Sequence, residues 1–251
     1  MDDVTLGIKT LMRPDSLIRL LDSIQTYYAG INIVIVDDGK SPSLTDIEAS
    51  NYPNLKYIKA DFDVGIGVGR NIMIDAVDTP YAVYLDDDFV FIDSTDLTKF
   101  RELLAQNVAD IVGGGCTERG RTRRYHGKLN IEDNVLHYIS GNLDEGYIFS
   151  RQTNEKISYE RVDILLNFFM GKTDILKKLK WASDLKICTH TEFFIRACKE
   201  CRIAYCPDVW VHHAQTRHPE YNNFRNRNDR AASLAKHGVT SCKFHGKWGL
   251  V

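Results

Sequence analysis

Three consecutive aspartates, Asp86-Asp87-Asp88, lie between two apolar runs, residues 81–85 and 89–91, and this juxtaposition constrains the chain more than any other feature. A short apolar run bounded in this way reads as a buried strand, so the carboxylates fall where the strand meets its loop. Three neighbouring like charges raise one another's pKa and gain nothing for packing unless a cation or a donor answers them. A divalent metal is the economical answer, because carboxylate oxygens are hard ligands suited to Mg²⁺ or Mn²⁺, ions that commonly carry substrate phosphates. The competing reading is an acidic surface turn.

The chain upstream supplies a frame for that strand end. Residues 4–9 read as a strand, and Pro14 opens a helix in which Leu17, Leu20, Leu21, Ile24, Tyr27 and Tyr28 recur at helical spacing. Residues 31–36 are almost continuously apolar and β-branched, as in a parallel strand covered on both faces, and end in Asp37-Asp38-Gly39. Strand, helix and strand with carboxylates at the carboxyl edge predict a doubly wound α/β sheet whose ligand crevice lies outside that edge. After a further strand at 55–58 come glycines 65, 67 and 69 and then Arg70-Asn71. Their spacing is neither a dinucleotide fingerprint nor a P-loop. Their position at a helix start would let Arg70 reach a diphosphate with help from the helix amino end.

Beyond the triplet, residues 96–104 form an amphipathic helix and 110–112 a strand ending in Gly113-Gly114-Gly115, where either a ligand approaches the backbone or the chain turns tightly. Residues 117–160 carry a basic run, 118–124, and short apolar stretches that predict an antiparallel excursion beside the sheet. The longest apolar run, 162–170, is core interrupted by Asp163 and Asn167, and Asn167 near its end is placed to face a ligand. Gly171-Lys172-Thr173 lacks the upstream glycine of an ATP-binding loop. Glu192 opens a helix after His190; it is either an acid/base group or a helix-stabilising carboxylate. A last short strand at 203–206 precedes the run 209–211, which delivers His212 and His213, a metal ligand or merely hydrogen-bonded imidazoles. In the tail, Arg225, Arg227 and Arg230 are either a lid over a diphosphate or part of a solvated terminus.

With 251 residues, 43% of them hydrophobic, the chain can bury a core without disulfides. A formal net charge of -2 gives no global pull toward nucleic acid. Cys198 and Cys201 have the gap of a metal or redox pair, but no second close pair accompanies them, so free thiols and a reducing, cytoplasmic setting are expected. The first residues show no signal-peptide pattern, and no stretch reaches about 18 apolar residues.

Taken together, the ordered blocks resemble a GT-A nucleotide-sugar glycosyltransferase of the family 2 type, closest to the ganglioside-type beta-1,4 N-acetylgalactosaminyltransferase catalytic domains. The blocks are Lys9-Thr10 to Arg13, Val36-Asp37-Asp38, Gly65 to Asn71, Tyr84 to Phe91, Asn167-Phe168-Phe169, His190 to Phe194 and Asp208 to Ala214. The resemblance implies a Rossmann-like, mostly parallel central sheet flanked by helices, with a small antiparallel excursion. It implies one domain over 1–251, with a nucleotide-binding half at 1–115, an acceptor-binding half at 116–215 and a lid or tail at 216–251. Thr10 and Arg13 would line the nucleotide pocket, Asp38 would bind the uracil side, and Arg70 would lie near the diphosphate. Asp86, Asp87 and Asp88 form the DxD region, with Asp88, Asp86 and His213 around Mn²⁺ or Mg²⁺. The implied reaction is inverting transfer of a sugar, an N-acetylhexosamine, from a UDP-sugar to a glycan or glycolipid hydroxyl. Glu192 is the expected base. Many relatives carry a Glu-Asp pair where this chain has Thr189-His190, which makes His190 the second candidate. The rival readings are a nucleotidyltransferase or pyrophosphorylase on a similar sheet, which would need an early glycine-rich basic loop, and a carbohydrate-binding domain without catalysis.

Overall fold

The computed structural model describes residues 1–141, 143–216, 219–225 and 229–250. Strand β1 (Val4–Thr10) leads into helix α1 (Pro14–Tyr27), which starts on proline and turns Leu17, Leu20, Leu21 and Ile24 onto the sheet. Strand β2 (Asn32–Asp37), helix α2 (Asp46–Ser50) and strand β3 (Leu55–Lys59) follow, α2 being closed by a capping box between Thr45 and Glu48. Helix α3 (Ile66–Asp75) returns the chain to β4 (Tyr81–Asp86), and a two-residue strand β5 (Phe89–Val90) lies just past the triplet. In α3 a Cβ at Gly67 would fall 2.1 Å from the Ala182 carbonyl oxygen, so a glycine there lets the segment after residue 180 approach the helix.

Helix α4 (Leu97–Ala105) precedes β6 (Ile111–Glu118), β7 (Arg121–Arg124), β8 (Lys128–Glu132), β9 (Val135–Ile139), β10 (Asp144–Phe149), β11 (Lys156–Val162) and β12 (Phe169–Lys172). Helices α5 (Thr173–Leu179) and α6 (Thr189–Glu200), strand β13 (Ile203–His213), helices α7 (Pro219–Arg225) and α8 (Arg230–Ala235), and strands β14 (Ser241–His245) and β15 (Gly249–Leu250) complete the order. The main path of the sheet runs β10-β11-β13-β6-β12-β4-β1-β2-β3. A second sheet, β14-β9-β8, is the antiparallel excursion with a later strand added to it in parallel.

The sheet departs from the expected parallel architecture. Pairings among β4, β1, β2 and β3 are parallel, as is β6 with β13. Strand β12 is antiparallel to both β4 and β6, and β10, β11, β5, β7 and β15 also pair antiparallel. The sheet is therefore mixed: the insertion of β12 between β4 and β6 reverses direction where the helical crossovers end.

Two other expectations are corrected. The three glycines neither turn the chain nor receive a ligand; they lie inside β6. A Cβ at Gly114 would stand 2.3 Å from the Val209 carbonyl oxygen, and one at Gly115 2.5 Å from the Trp210 ring, so the missing side chains make room for β13. The segments at 203–206 and 209–213 are one strand with a register shift between Tyr205 and Trp210, near Pro207. Apolar side chains pack on both faces of the sheet, Leu6, Ile8, Leu20, Phe91 and Phe168 on one, and Val36, Tyr84, Phe169, Trp181 and Phe193 on the other. None of the six cysteines is disulfide-bonded, and no described helix is long and apolar enough to cross a membrane.

Candidate active site

The carboxyl ends of β1 and β4 meet at a cavity of about 450 Å³, with α3, α6, β13 and α7 around its rim. The triplet ends β4 there, yet its three carboxylates face different surroundings. Asp87 is fully buried and accepts hydrogen bonds from Thr10 Oγ1 at 2.6 Å and Arg13 Nε at 3.2 Å, while Arg13 Nη2 pairs with its other oxygen. Arg13 Nη1 extends to Asp88 Oδ2 at 2.7 Å. Asp86, with 34% of its side chain exposed, accepts from Arg70 Nη2 at 2.9 Å and Asn167 Nδ2 at 3.1 Å. The like charges are thus answered by two arginines of the chain itself.

These partners set the electrostatics. Burial drives Asp87 up to about 6, against the pull of Arg13. Asp88 moves the other way: burial opposes its charge, but hydrogen bonds from His213 and Arg13 and their positive charges hold it below the usual carboxylate range.

His213 faces Asp88 through Nε2, 3.3 Å from Oδ2, and Glu118 through Nδ1, 2.9 Å from Oε2. A carboxylate behind a histidine fixes the ring and its tautomer, an arrangement common behind metal-bound imidazoles. Carboxylate oxygen from Asp86 and Asp88 with imidazole nitrogen from His213 is a donor set that suits Mn²⁺ or Mg²⁺. Among the described residues, however, no group of three or more such side chains is gathered as a metal cluster, and Arg13 shares the Asp88 oxygen that faces His213.

The remaining expected residues divide between cavity and support. Arg13, Arg70, Asp86, Asp87, Asp88, His190 and His213 line the cavity, with Asn167. Thr10 and Asp38 are not among its lining residues. Thr10 serves Asp87 instead, and Asp38 is fully buried against Lys9 Nζ at 2.6 Å and the Gly65 N–H at 3.3 Å. Glu192 is also outside the lining: Arg196 Nε and Nη2 take both of its carboxylate oxygens at 2.7 and 3.0 Å, and His237 Nε2 is 3.6 Å away. Arg196 continues to the carbonyls of Leu179 and Lys180, so Glu192 braces the turn after α5.

His190, two residues earlier on α6, lines the cavity beside Tyr125, the ring centroids 5.3 Å apart, and its Nε2 has no hydrogen-bond partner among the described residues. Burial and then the charge of Arg70 push its pKa down to about 3, while a hydrogen bond at the Leu165 backbone pulls the other way. The ring is neutral, and its Nε2 is buried without a partner among the described residues.

Several lining residues carried no sequence signal. Lys186, Cys188, Tyr221 and Phe224 come from segments without a motif; Glu118, which backs His213 from outside the lining, sat inside what read as a basic loop. Tyr221 brings α7 over the cavity, its ring 4.2 Å from Arg13 Cζ. Of the three arginines read as a lid, Arg227 and the side chain of Arg225 lie outside the described residues, while Arg230 is exposed and bonds to Cys242.

Comparison with known proteins agrees with this geometry. The family model for glycosyl transferase family 2 matches residues 5–180. Beta-1,4 N-acetylgalactosaminyltransferase 1 of Rattus norvegicus is 32% identical over 213 residues, covering 84% of this chain and 39% of the relative. Beta-1,4 N-acetylgalactosaminyltransferase 2 of Mus musculus is 32% identical over 222 residues, 86% of this chain and 40% of the relative. The chain therefore spans about two fifths of the curated relatives it matches. The crystal structure of S. aureus TarS 1-349 in complex with UDP-GlcNAc superposes with a TM-score of 0.65 at 16% identity, over 92% of this chain and 64% of that one, a likeness of fold. A sheet that ends in the acidic triplet, a family match across most of its strands and relatives that align over most of the chain lead to one conclusion: this chain belongs to glycosyl transferase family 2.

Proposed function

We propose that the chain transfers a sugar, an N-acetylhexosamine, from a UDP-sugar to a hydroxyl of a glycan or glycolipid acceptor, with inversion. The observation that carries this reading is the convergence of Arg70, Asp86, Asp88, Asn167, His190 and His213 on one cavity at the carboxyl edge of the sheet. The sugar and nucleotide rest on the names of the N-acetylgalactosaminyltransferase relatives and on the UDP-GlcNAc in the TarS complex. Residues 1–115 would hold the nucleotide, 116–215 the acceptor, and 216–251 would cover the site.

In this reading Asp88, His213 and Asp86 would hold Mn²⁺ or Mg²⁺. The ion, when bound, supplies positive charge where the departing diphosphate develops its negative charge. Arg13 holds Asp87 and Asp88 in place, while Arg70, already paired to Asp86, offers a guanidinium to the diphosphate. The proton of the attacking hydroxyl would pass to His190, whose place in the cavity lining, unpaired Nε2 and neutral ring support a base role. A diphosphate against Arg70 offsets the charge that depresses His190, so the imidazole would become a stronger base once the donor is in place. Glu192, occupied by Arg196, would steady the helix that presents it.

The test is isothermal titration with UDP, GDP, CDP and TDP, each with Mn²⁺ and again with EDTA, followed by transfer and hydrolysis assays on UDP-sugars. Selective UDP binding that EDTA weakens, with transfer, is expected. Absence of nucleotide binding under every condition would overturn the proposal in favour of a carbohydrate-binding domain.

A further inference from the structure

Arg70 is 4% exposed, and its guanidinium is held in two ways. Within its plane, Nη2 donates to Asp86 at 2.9 Å and Nη1 to Asn167 at 3.2 Å. Across its face, Cζ stands 4.3 Å from the centroid of Trp181 and 5.9 Å from that of Tyr84. A buried guanidinium with a free rotor would lose entropy on meeting an anion; one already pinned in plane and across its face loses little.

Trp181 is itself clamped. Its backbone N–H donates to Asn71 Oδ1 at 2.8 Å and its carbonyl accepts from Asn71 Nδ2 at 2.9 Å, so the residue next to Arg70 fixes the residue that Arg70 lies against. The indole also stacks on Phe193, with centroids 4.2 Å apart and planes 15° apart, and thus lies between Arg70 and α6, the helix that carries His190. The residue is 2% exposed, and its Nε1 is directed at the Tyr84 hydroxyl. Phenylalanine or leucine would fill much of the same space. What the indole supplies beyond volume is the aromatic face that attracts a cation most strongly.

We propose that Trp181 is the positioning residue of the donor site: its indole fixes the plane of the Arg70 guanidinium for an anionic diphosphate and ties Arg70 to the helix that presents His190. The proposal rests on reading the cavity as a nucleotide-sugar site. Tryptophan thereby acts on the diphosphate through Arg70 and leaves the nucleoside untouched. A cation–π contact of this kind corresponds to about fivefold in affinity.

The experiment compares UDP with uridine, by titration calorimetry in Mn²⁺, for the unsubstituted protein, Trp181→Leu, Trp181→Phe, Arg70→Met and the Trp181→Leu/Arg70→Met double variant, with thermal unfolding alongside. Trp181→Leu is expected to weaken UDP by about fivefold and leave uridine unchanged, with Trp181→Phe recovering about half of the loss on a logarithmic scale. The double variant should bind UDP no more weakly than Arg70→Met alone. Equal loss of UDP and uridine, an unchanged UDP affinity, or additive loss in the double variant would overturn the proposal. Should Trp181→Leu fail to fold, Trp181→Phe carries the same comparison: a loss confined to UDP supports the proposal and any other pattern refutes it. Failure of the unsubstituted protein to bind UDP would instead remove the donor-site reading beneath it.

Discussion

The middle and outer carboxylates of the triplet should separate stability from function. Asp87 is fully buried and holds Arg13 through two donors and Thr10 through a third, whereas Asp86 is a third exposed at the cavity. Removing one partner of a buried ion pair costs about 3–5 kcal/mol. Asp87→Asn keeps a carbonyl acceptor, and Arg13 keeps Asp88, so the expected loss lies at the lower end, about 3 kcal/mol. At about 2–4 °C per kcal/mol for a chain of this size, Tm should fall by about 6–12 °C. Asp86→Asn loses a partly solvated pair with Arg70 and should shift Tm by less than about 3 °C. Its UDP binding in Mn²⁺ should nevertheless fall at least tenfold, because a metal donor disappears. Calorimetric unfolding and nucleotide titration of both variants decide the matter. Equal Tm losses, or an Asp87→Asn protein as stable as the parent, would refute the division of the triplet into a structural centre and a functional rim.

His190→Gln should retain UDP affinity and lose about 10²-fold or more in transfer, while Glu192→Gln should chiefly lower Tm; near-normal turnover of His190→Gln in a steady-state assay would take the proton acceptor elsewhere. Asp110 is pushed up by burial but held below its ordinary value by hydrogen bonds from Arg202 and Lys172. A depressed folded pKa gives stability that is present above the unfolded value of about 3.9 and is lost as pH falls through the folded one. The Tm gap between parent and Asp110→Asn should therefore be full at pH 7 and narrow below about pH 4, as read by thermal melts across that range. Gly114→Ala should destabilise by about 1–3 kcal/mol, since the new methyl meets the Val209 carbonyl at 2.3 Å; an unchanged denaturation midpoint would show that β13 yields.

Local pattern carried much of this structure. The Pro14 start, the leucine spacing of α1 and the β-branched run of β2 each encode their element within a few residues, and the acidic triplet marks the strand end by its abrupt change of polarity. What escaped depends on partners distant in sequence. Nothing near Thr10 or Asp38 says that one would face Asp87 and the other Lys9, and both turned out to be buried supports. Glu192 has the residue type and helix position of a base, but four residues on stands Arg196, and only the packing of α6 decides that they pair. The glycine run of β6 read as a ligand approach or a tight turn because the Trp210 ring that requires it is nearly a hundred residues away. Strand β12 starts at the end of a longer apolar run that hid it, and its reversed direction is a property of the sheet order.

The pairing of β14 with β9 and of β15 with β7 imposes an order in time. Strands β1 to β4 pair among themselves within the first 86 residues, and can assemble as the chain emerges. The wall of the cavity cannot, since Tyr125 leans on Trp248 and Tyr138 stacks on Phe244, contacts that close loops of more than a hundred residues. A half-made chain would thus present its acidic strand end to solvent well before it has a chamber around it. The competence to hold a ligand on all sides would arrive late and abruptly, with the docking of two short strands.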